Sequence, residues 1–454
     1  MFRSLLIANR GEVAVRVARA AKALGIRSVG VVSEADLGAS WIAELDSVVC
    51  IGASAPKDSY LRVDRILQAA LQEGCAAVHP GWGFLAENSV FAALCAQHGL
   101  TFVGPGPGTM EQLGLKIPAK QAMGAAGLQG IPGSAGLLNS VEEAREVAAR
   151  IGYPVIVKAD AGGGGRGMRR CYAESELGDA WSQASAESEA AFGNGALYME
   201  SYLTGGRHIE IQILADSYGH AIHLGDRECS IQRNHQKLIE ESPSPALSPK
   251  ERDELGVLAA KAAASIGYSG AGTVEFLRAP NGELYFMEMN ARLQVEHPVT
   301  EMVSGVDLVA HQLHIAANEP LALQQEDVTL NGASIECRIN AEDPSQDFRP
   351  TPGKLTKFDL PTTAGPGTLR IDTHLQAGDE VPPYYDSLIA KVIAHGDTRE
   401  EAIETMLACL KSATIEGVKT TIPLHIAVLQ SKEFQSGEYD TASIPGWSPA
   451  ATAS

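Results

Sequence analysis

The stretch TVEFLRAPNGELYFMEMN (273–290) brings two carboxylates towards one another. Two strand-like runs flank Pro280-Asn281-Gly282, a turn signal. A hairpin centred between Asn281 and Gly282 sets Glu275 opposite Glu288, and on its other, core-directed side Val274 opposite Met289 and Phe276 opposite Met287. Opposed carboxylates repel and cost stability. A divalent cation between them removes that cost, and Mg²⁺ bound through one or two carboxylates plus nucleotide phosphates suits the arrangement. Asn290 shares the face of Glu288 and can add an oxygen ligand. A solvated hairpin face, or pairing with Arg or Lys, is the alternative. The polar segment that follows, NARLQVEHPVTE, favours the metal.

A second cluster of chemistry lies in KADAGGGGRGM (158–168). Glycines have no Cβ, so the backbone N–H groups of Gly163, Gly164 and Gly165 can approach a ligand and turn to face it. Lys158 ends the preceding strand and Arg166 stands within the loop. Backbone donors between fixed positive charges suit a polyphosphate, and a flexible run suits a lid; a mobile surface loop is the plainer reading. The motif matches neither the P-loop nor the dinucleotide fingerprint. In GDRECSIQRNHQKLIEE (225–241), Gln232, Arg233, His235 and Lys237 form either a solvated charged loop or a site for an anion such as phosphate or bicarbonate. GGRHIEIQIL alternates His208, Glu210 and Gln212 with Ile209, Ile211 and Ile213, as a strand with one polar face does. Glu296 follows Arg292 by one helical turn, which fits a general base with a tuned pKa or a plain ion pair. Arg338, in ECRINAED, fits a strand and a salt bridge.

The elements that must hold these groups are legible as an α/β and α+β multidomain chain. Residues 3–8 read as a buried strand and 11–24 as a helix with Val13, Val17, Ala20, Ala21 and Leu24 on one face. Strand 26–33, helix 60–74, strand 76–80, helix 89–99 and strand 100–105 continue the alternation, which predicts a parallel sheet covered by helices. The division expected is 1–114, a Rossmann-like unit; 115–203, a small unit carrying the glycine run; 204–330, a larger α+β unit; 331–447, a C-terminal α+β unit; and 448–454, a disordered tail. The 454 residues carry a net charge of −19 with no dense basic run, which argues against a nucleic-acid partner. No stretch approaches the roughly 20 apolar residues of a membrane span. Seven scattered cysteines without a C-x-x-C argue for a reducing compartment. With no signal-like N-terminus, the cytoplasm is the expected location.

LIANRGEVAVRV, HPGWGFLAEN, FVGP, KADAGGGGRGM, DRECSIQRNHQK, EMNARLQVEHPVTE, ECRINAED and VPPYYDSLIAKV, in this order from about residue 2 to 447, together resemble biotin carboxylase, the ATP-grasp component of biotin-dependent carboxylases. QVEHPVTE and ECRINAED carry the most specific likeness. The resemblance implies an N-terminal Rossmann-like domain, an ATP-grasp region with a mobile glycine-rich lid, and a C-terminal α+β domain. It implies that Lys116, Lys158, Glu200, His208, Gln232 and His235, with the glycine run, contact ATP; that Glu275, Glu288 and Asn290 hold Mg²⁺ or Mn²⁺; and that Lys237, Arg292, Gln294 and the Val295 backbone bind bicarbonate. Glu296 would be the base and Arg338 would stabilise the biotin enolate, with Trp82 near the biotin site. Leu115, Ala291 and Trp82 depart from the family's usual residues, and none of the three removes an expected catalytic group.

The implied reaction is ATP- and bicarbonate-dependent carboxylation of biotin N1′, the first half-reaction of an acyl-CoA carboxylase. No Ala/Val-Met-Lys-Met motif occurs. Biotin is therefore expected on a separate carrier protein, with a carboxyltransferase as a further partner, and the family's habit implies a homodimer. Two competing readings are another ATP-grasp ligase that forms an acyl-phosphate and a nucleotide-binding subunit without turnover.

Overall fold

The computed structural model describes residues 1–160 and 167–448. The glycine run, including Gly163, Gly164, Gly165 and Arg166, and all of the expected tail but Ser448 lie outside the described residues.

The first sheet is built from β1 (Ser4–Ile7), β2 (Arg27–Ser33), β3 (Ser47–Gly52), β4 (Ala77–His79) and β5 (Thr101–Phe102). All neighbours are parallel, in the order β3-β2-β1-β4-β5. Helices α1 (Gly11–Ala23), α2 (Val63–Gln72) and α3 (Ser89–Gln97) connect them. Leu5, Leu6, Ile7, Val29 and Val31 are fully buried, as strands covered on both faces require. The alternation read from the sequence is the one observed, except that β3 carries a weak pattern and α2 starts at Val63 rather than Tyr60. Tyr60 instead lies in the core and donates its hydroxyl to Asp36 at 2.5 Å.

Helices α4 (Pro107–Gly114) and α5 (Lys116–Ala125) lead into a small antiparallel sheet of β6 (Val155–Ala159), β7 (Met168–Cys171) and β8 (Leu197–Ser201), packed by α6 (Val141–Ile151) and α7 (Leu177–Phe192). The N-cap of α5 is Leu115, which has no side chain able to cap. Asp160, at the end of β6, supplies that function: its Oδ1 accepts the Ile117 N–H at 3.0 Å.

Eight strands form the largest sheet. They include β9 (Arg207–Ala215), β10 (Ala221–Arg233), β11 (Gln236–Ser242), β12 (Gly270–Arg278), β13 (Leu284–Asn290) and β14 (Ala333–Asn340). The order is β13-β12-β9-β10-β11-β14, continued by Leu388–Gly396 and Thr368–Thr373. Strands from the 204–330 and 331–447 segments thus share one sheet. Helix α8 (Pro249–Ser265) and the isoleucine face of β9 pack with Val274, Phe276, Phe286 and Met289 in one core. Helix α9 (His297–Ser304) lies on the other side.

Two expectations are corrected here. Segment 225–241 is not a loop but most of a hairpin, β10–β11, in which Gln232 pairs with Lys237 and Arg233 with Gln236. Its two-residue turn, Asn234-His235, has φ values of 51° and 64°, the left-handed conformation that two-residue hairpins demand. The β12–β13 hairpin does set Glu275 opposite Glu288 and Val274 opposite Met289, but Phe276 faces Phe286, not Met287. Its turn centres on Asn281, with Ala279 bonded to Glu283, and a bulge at Met287 then takes up one residue. Two departures from the simple hairpin cancel at the glutamates.

Candidate active site

Both faces of the large sheet are buried along β9, so the polar face cannot be solvated. His208, Glu210 and Gln212 face inward with exposures of 7%, 0% and 1%. Buried carboxylates need partners, and the neighbouring strands supply them. From β11, Lys237 places its Nζ 2.6 Å from Glu210 Oε2, 3.1 Å from Glu275 Oε1 and 2.5 Å from Glu296 Oε1. From β14, Arg338 donates to Glu296 Oε2 at 2.9 Å and to Glu240 at 2.6 Å. Glu296 is the residue before the first turn of α9, where the helix's positive end adds to the same field.

The electrostatics follow from this geometry. Burial would raise the Glu296 carboxyl, but Lys237, Arg338 and Arg227 outweigh it and hold it far below the usual carboxylate range. Glu275 is likewise held down against burial, by Lys237 and by His208, whose Nε2 lies 3.0 Å away. Burial works against the charged Lys237 amine, and its three carboxylate neighbours overcome it. Glu240 behaves in the opposite way: burial pushes it up, and Arg338 only partly compensates. The site therefore holds two strongly ionised carboxylates, Glu296 and Glu275, and of these Glu296 lies between two cations, Lys237 and Arg338.

Glu275 also accepts from Asn290 Nδ2 and Gln294 Nε2, both at 2.9 Å. Arg292 donates to Asn290 Oδ1 at 3.1 Å and pairs with Glu87 at 3.0 Å. Glu288, opposite Glu275 in register, is more exposed and contacts Lys116. Lys158 lies 2.6 Å from Glu200, which Lys120 also contacts. Gln232 donates to the Cys229 carbonyl at 3.3 Å. His235 is exposed at the β10–β11 turn, and partial desolvation together with the nearby Arg170, Lys158 and His208 lowers the pKa of its imidazole. Trp82 packs at the margin of the N-terminal core, its carbonyl held by Asn9 at 2.7 Å. Glu296, Lys237, Arg338, Glu275, His208, Gln294, Asn290 and Arg292 thus form one connected network. Lys116, Lys158, Glu200, Glu288 and His235 adjoin it, and Trp82 stands apart.

The donor set suits a hard cation. Glu275, Glu288 and the Asn290 amide offer oxygen only, as Mg²⁺ or Mn²⁺ prefers. The tighter groupings, His208/Glu210/Glu275 and Glu210/Cys229/Glu296, surround the Lys237 ammonium or Arg227, which already neutralise them. In the cross-strand pair with Asn290, Glu288 has only a lysine partner and is the freer ligand, whereas Glu275 is held by Lys237, His208, Asn290 and Gln294 and would have to exchange Lys237 for the cation.

Sequence reasoning missed Arg227. It is fully buried, and its guanidinium donates to Glu210 at 2.5 Å, Gln212 at 2.6 Å, Thr300 at 3.0 Å, Thr273 at 3.1 Å and Gln294 at 2.7 Å. It faces Glu210 across the β9–β10 ladder. A bulge between His223 and Asp226 shifts that ladder, so strand alternation alone could not have paired them. Glu87, which also accepts the Ala291 N–H at 3.1 Å, and Lys120 were missed too. At position 291, a residue with a backbone N–H is what Glu87 uses.

Family models match in sequence along the chain: the biotin carboxylase N-terminal domain over residues 1–110, the carbamoyl-phosphate synthase L chain ATP-binding domain over 116–324, and the biotin carboxylase C-terminal domain over 336–445. The chain belongs to the biotin carboxylase family. It is 51% identical to biotin carboxylase 1 of Bacillus subtilis, over 97% of this chain and 98% of that one. It is 49% identical to the biotin carboxylase of a Nostoc species, over 97% of this chain and 98% of the relative. The biotin carboxylase domain dimer of Hydrogenobacter thermophilus 2-oxoglutarate carboxylase, solved with MgADP, ADP and bicarbonate, superposes with a TM-score of 0.94 at 49% identity, covering 97% and 96% of the two chains. Among the described residues no helix is long and apolar enough to cross a membrane.

Proposed function

We propose that this chain carboxylates biotin N1′ with ATP and bicarbonate, the biotin being carried by a separate protein and the carboxyl group passing on to a carboxyltransferase subunit. The observation that carries the residue roles is Glu296 fixed between Lys237 at 2.5 Å and Arg338 at 2.9 Å, beside Glu275. A carboxylate so placed is ionised, as a base must be, and it gains basicity once Lys237 turns to the phosphoryl group; it then takes a proton from bicarbonate held by Lys237, Arg292, Gln294 and the Val295 N–H. The deprotonated oxygen attacks the γ-phosphorus of ATP, giving carboxyphosphate and ADP. Lys237 offsets charge on the transferring phosphoryl group. Mg²⁺ held by Glu275, Glu288 and Asn290 would neutralise nucleotide phosphate charge. Lys116, Lys158, Glu200, His208, Gln232 and His235, with Gly163–Gly165, bind the nucleotide.

Carboxyphosphate then divides into CO₂ and phosphate, and phosphate accepts the N1′ proton of biotin. Arg338 stabilises the resulting enolate oxygen, and N1′ attacks CO₂. Trp82 is assigned to the biotin side by the family resemblance alone. The working division of the chain is 1–114, 115–203, 204–330 and 331–447, the last two joined by one sheet. The working assembly is a cytoplasmic homodimer.

The test is ADP release by the purified chain with Mg²⁺, ATP and bicarbonate, with and without high free biotin. Release that needs bicarbonate and rises with biotin is expected. Tight ATP binding without bicarbonate-dependent release, even with biotinylated carriers, would overturn the proposal.

A further inference from the structure

Under the active-site network lies a lysine to which no role has been given. Lys391, in the strand Leu388–Gly396, is fully buried, and a buried ammonium is costly unless its surroundings hold it. Its Nζ donates to the Val295 carbonyl at 3.0 Å, lies 3.0 Å from Glu12 Oε1 on α1 and 3.8 Å from Asp372 Oδ2. It is the direct cross-strand partner of Arg338, so the two cations stand side by side on one sheet face. Arg338 grips the Glu296 carboxylate; Lys391 grips the backbone just before it.

The adjoining carbonyl is held as well. Gln294 C=O accepts from the His297 N–H at 3.3 Å and from His297 Nδ1 at 2.8 Å. Both carbonyls of the Gln294–Val295 turn are thereby occupied, whereas the Val295 N–H meets no acceptor among the described residues. A turn with its acceptors tied down and a donor left open is arranged for an anion.

We propose that Lys391, with Glu12 as its counter-charge, is a positioning residue that fixes the Gln294–Glu296 turn so that the Val295 N–H and the Glu296 carboxylate address one bicarbonate. This rests on the biotin carboxylase reading above. It places the N-terminal helix α1, remote in sequence from Glu296, in direct control of the bicarbonate subsite.

The double variant Lys391→Met with Glu12→Gln removes the ammonium together with its nearest carboxylate, while Asp372 keeps Arg370 at 2.7 Å, and Lys391→Arg retains the charge. Each is compared with the wild type for thermal midpoint, ADP affinity by calorimetry, and the bicarbonate dependence of ADP release. The double variant should fold and bind ADP within about twofold of wild type, while the KM for bicarbonate rises and kcat falls by at least about tenfold each; Lys391→Arg should recover part of both. A folded double variant with bicarbonate KM and kcat within about twofold of wild type would overturn the assignment, as would equal losses of ADP and bicarbonate affinity, which a merely structural lysine gives. Should the double variant not fold, Glu12→Gln alone decides by the same split: a raised bicarbonate KM at unchanged ADP affinity supports the role, and unchanged values refute it. A wild-type chain that cleaves no ATP in response to bicarbonate would instead refute the functional reading.

Discussion

Replacing Arg227 by lysine keeps one positive charge at the centre of the site and removes its planar fork. The guanidinium makes five hydrogen bonds to five side chains drawn from β9, β12, α9 and the Gln294 turn. One lysine Nζ has three donors on a single atom and cannot reach acceptors spread around a plane. It would keep Glu210, the charged partner, and lose Thr273 and Gln294, which the far nitrogen serves. Two or three buried acceptors left without partners cost together about 2–4 kcal/mol. With an unfolding entropy of roughly 2.1 cal/mol/K per residue in a cooperative unit of about 330 residues, that lowers the thermal midpoint by about 3–6 °C. Gln294, released from behind, would no longer hold its amide on Glu275, so the KM for bicarbonate should rise about tenfold for each 1.4 kcal/mol of lost positioning. ADP affinity should not change, because Arg227 touches neither Lys116 nor Lys158. The assay is scanning fluorimetry of the intact chain together with bicarbonate titration of ADP release. A midpoint within about 1 °C of wild type, with an unchanged bicarbonate dependence, would refute the claim that these five bonds act as one support.

Four further outcomes are expected. Glu296→Gln should retain ADP binding and lose roughly 10²–10⁴-fold of bicarbonate-dependent turnover, as loss of a general base does; a large fall in nucleotide affinity, read by calorimetry, would contradict that role. Glu288→Gln should raise the Mg²⁺ concentration giving half-maximal activity, and an unmoved metal titration would count against the cross-strand site. Asp160→Ala should cost about 0.5–2 kcal/mol of stability through the lost cap of α5, and Leu115→Asp in that background should return part of it, both read as shifts in urea midpoint. His79, His374 and His425 are buried, and burial holds their imidazoles down to about 4, about 3 and about 4. Folded histidines stay neutral where unfolded ones take a proton, so stability is full above about pH 6.5 and falls as the pH drops towards 4, by up to about 1.4 kcal/mol per pH unit for each group; His425→Gln should flatten the thermal midpoint between pH 6.5 and 4.5, and an equally steep variant would refute this.

Much of this site was legible because strand alternation fixes which residues share a face. His208, Glu210 and Gln212 were read on one side of β9 and stand there, and Glu275 opposite Glu288 followed from a turn signal. That second success had a flaw within it: the turn is one residue longer than assumed and the Met287 bulge restores the register. Bulges are what sequence periodicity does not carry, and a bulge likewise hid the Arg227–Glu210 pair. The hairpin at 225–241 was obscured because strands buried on both faces can carry as many charges as a loop when the charges answer one another. Long-range partners were beyond pattern altogether. Glu87 reaches Arg292, and Lys391 reaches Glu12, across hundreds of residues of chain that only the folded topology brings together. The parallel N-terminal sheet was plain from its apolar runs, while β3, with alternate residues exposed, was not.

The shared eight-stranded sheet has a consequence for how the chain is made. β11, which carries Lys237, pairs with β10 on one side and with β14 on the other. β14 is not synthesised until about 90 residues after β11 has left the ribosome, a delay of roughly 5–20 s at ordinary elongation rates. Throughout that interval β11 presents a row of unpaired backbone groups beside a half-neutralised nest of carboxylates. Nascent chains stalled or truncated before residue 333 would therefore be prone to stick to one another at that strand, and the late arrival of Arg338 makes completion of the charge network one of the last events in biosynthesis.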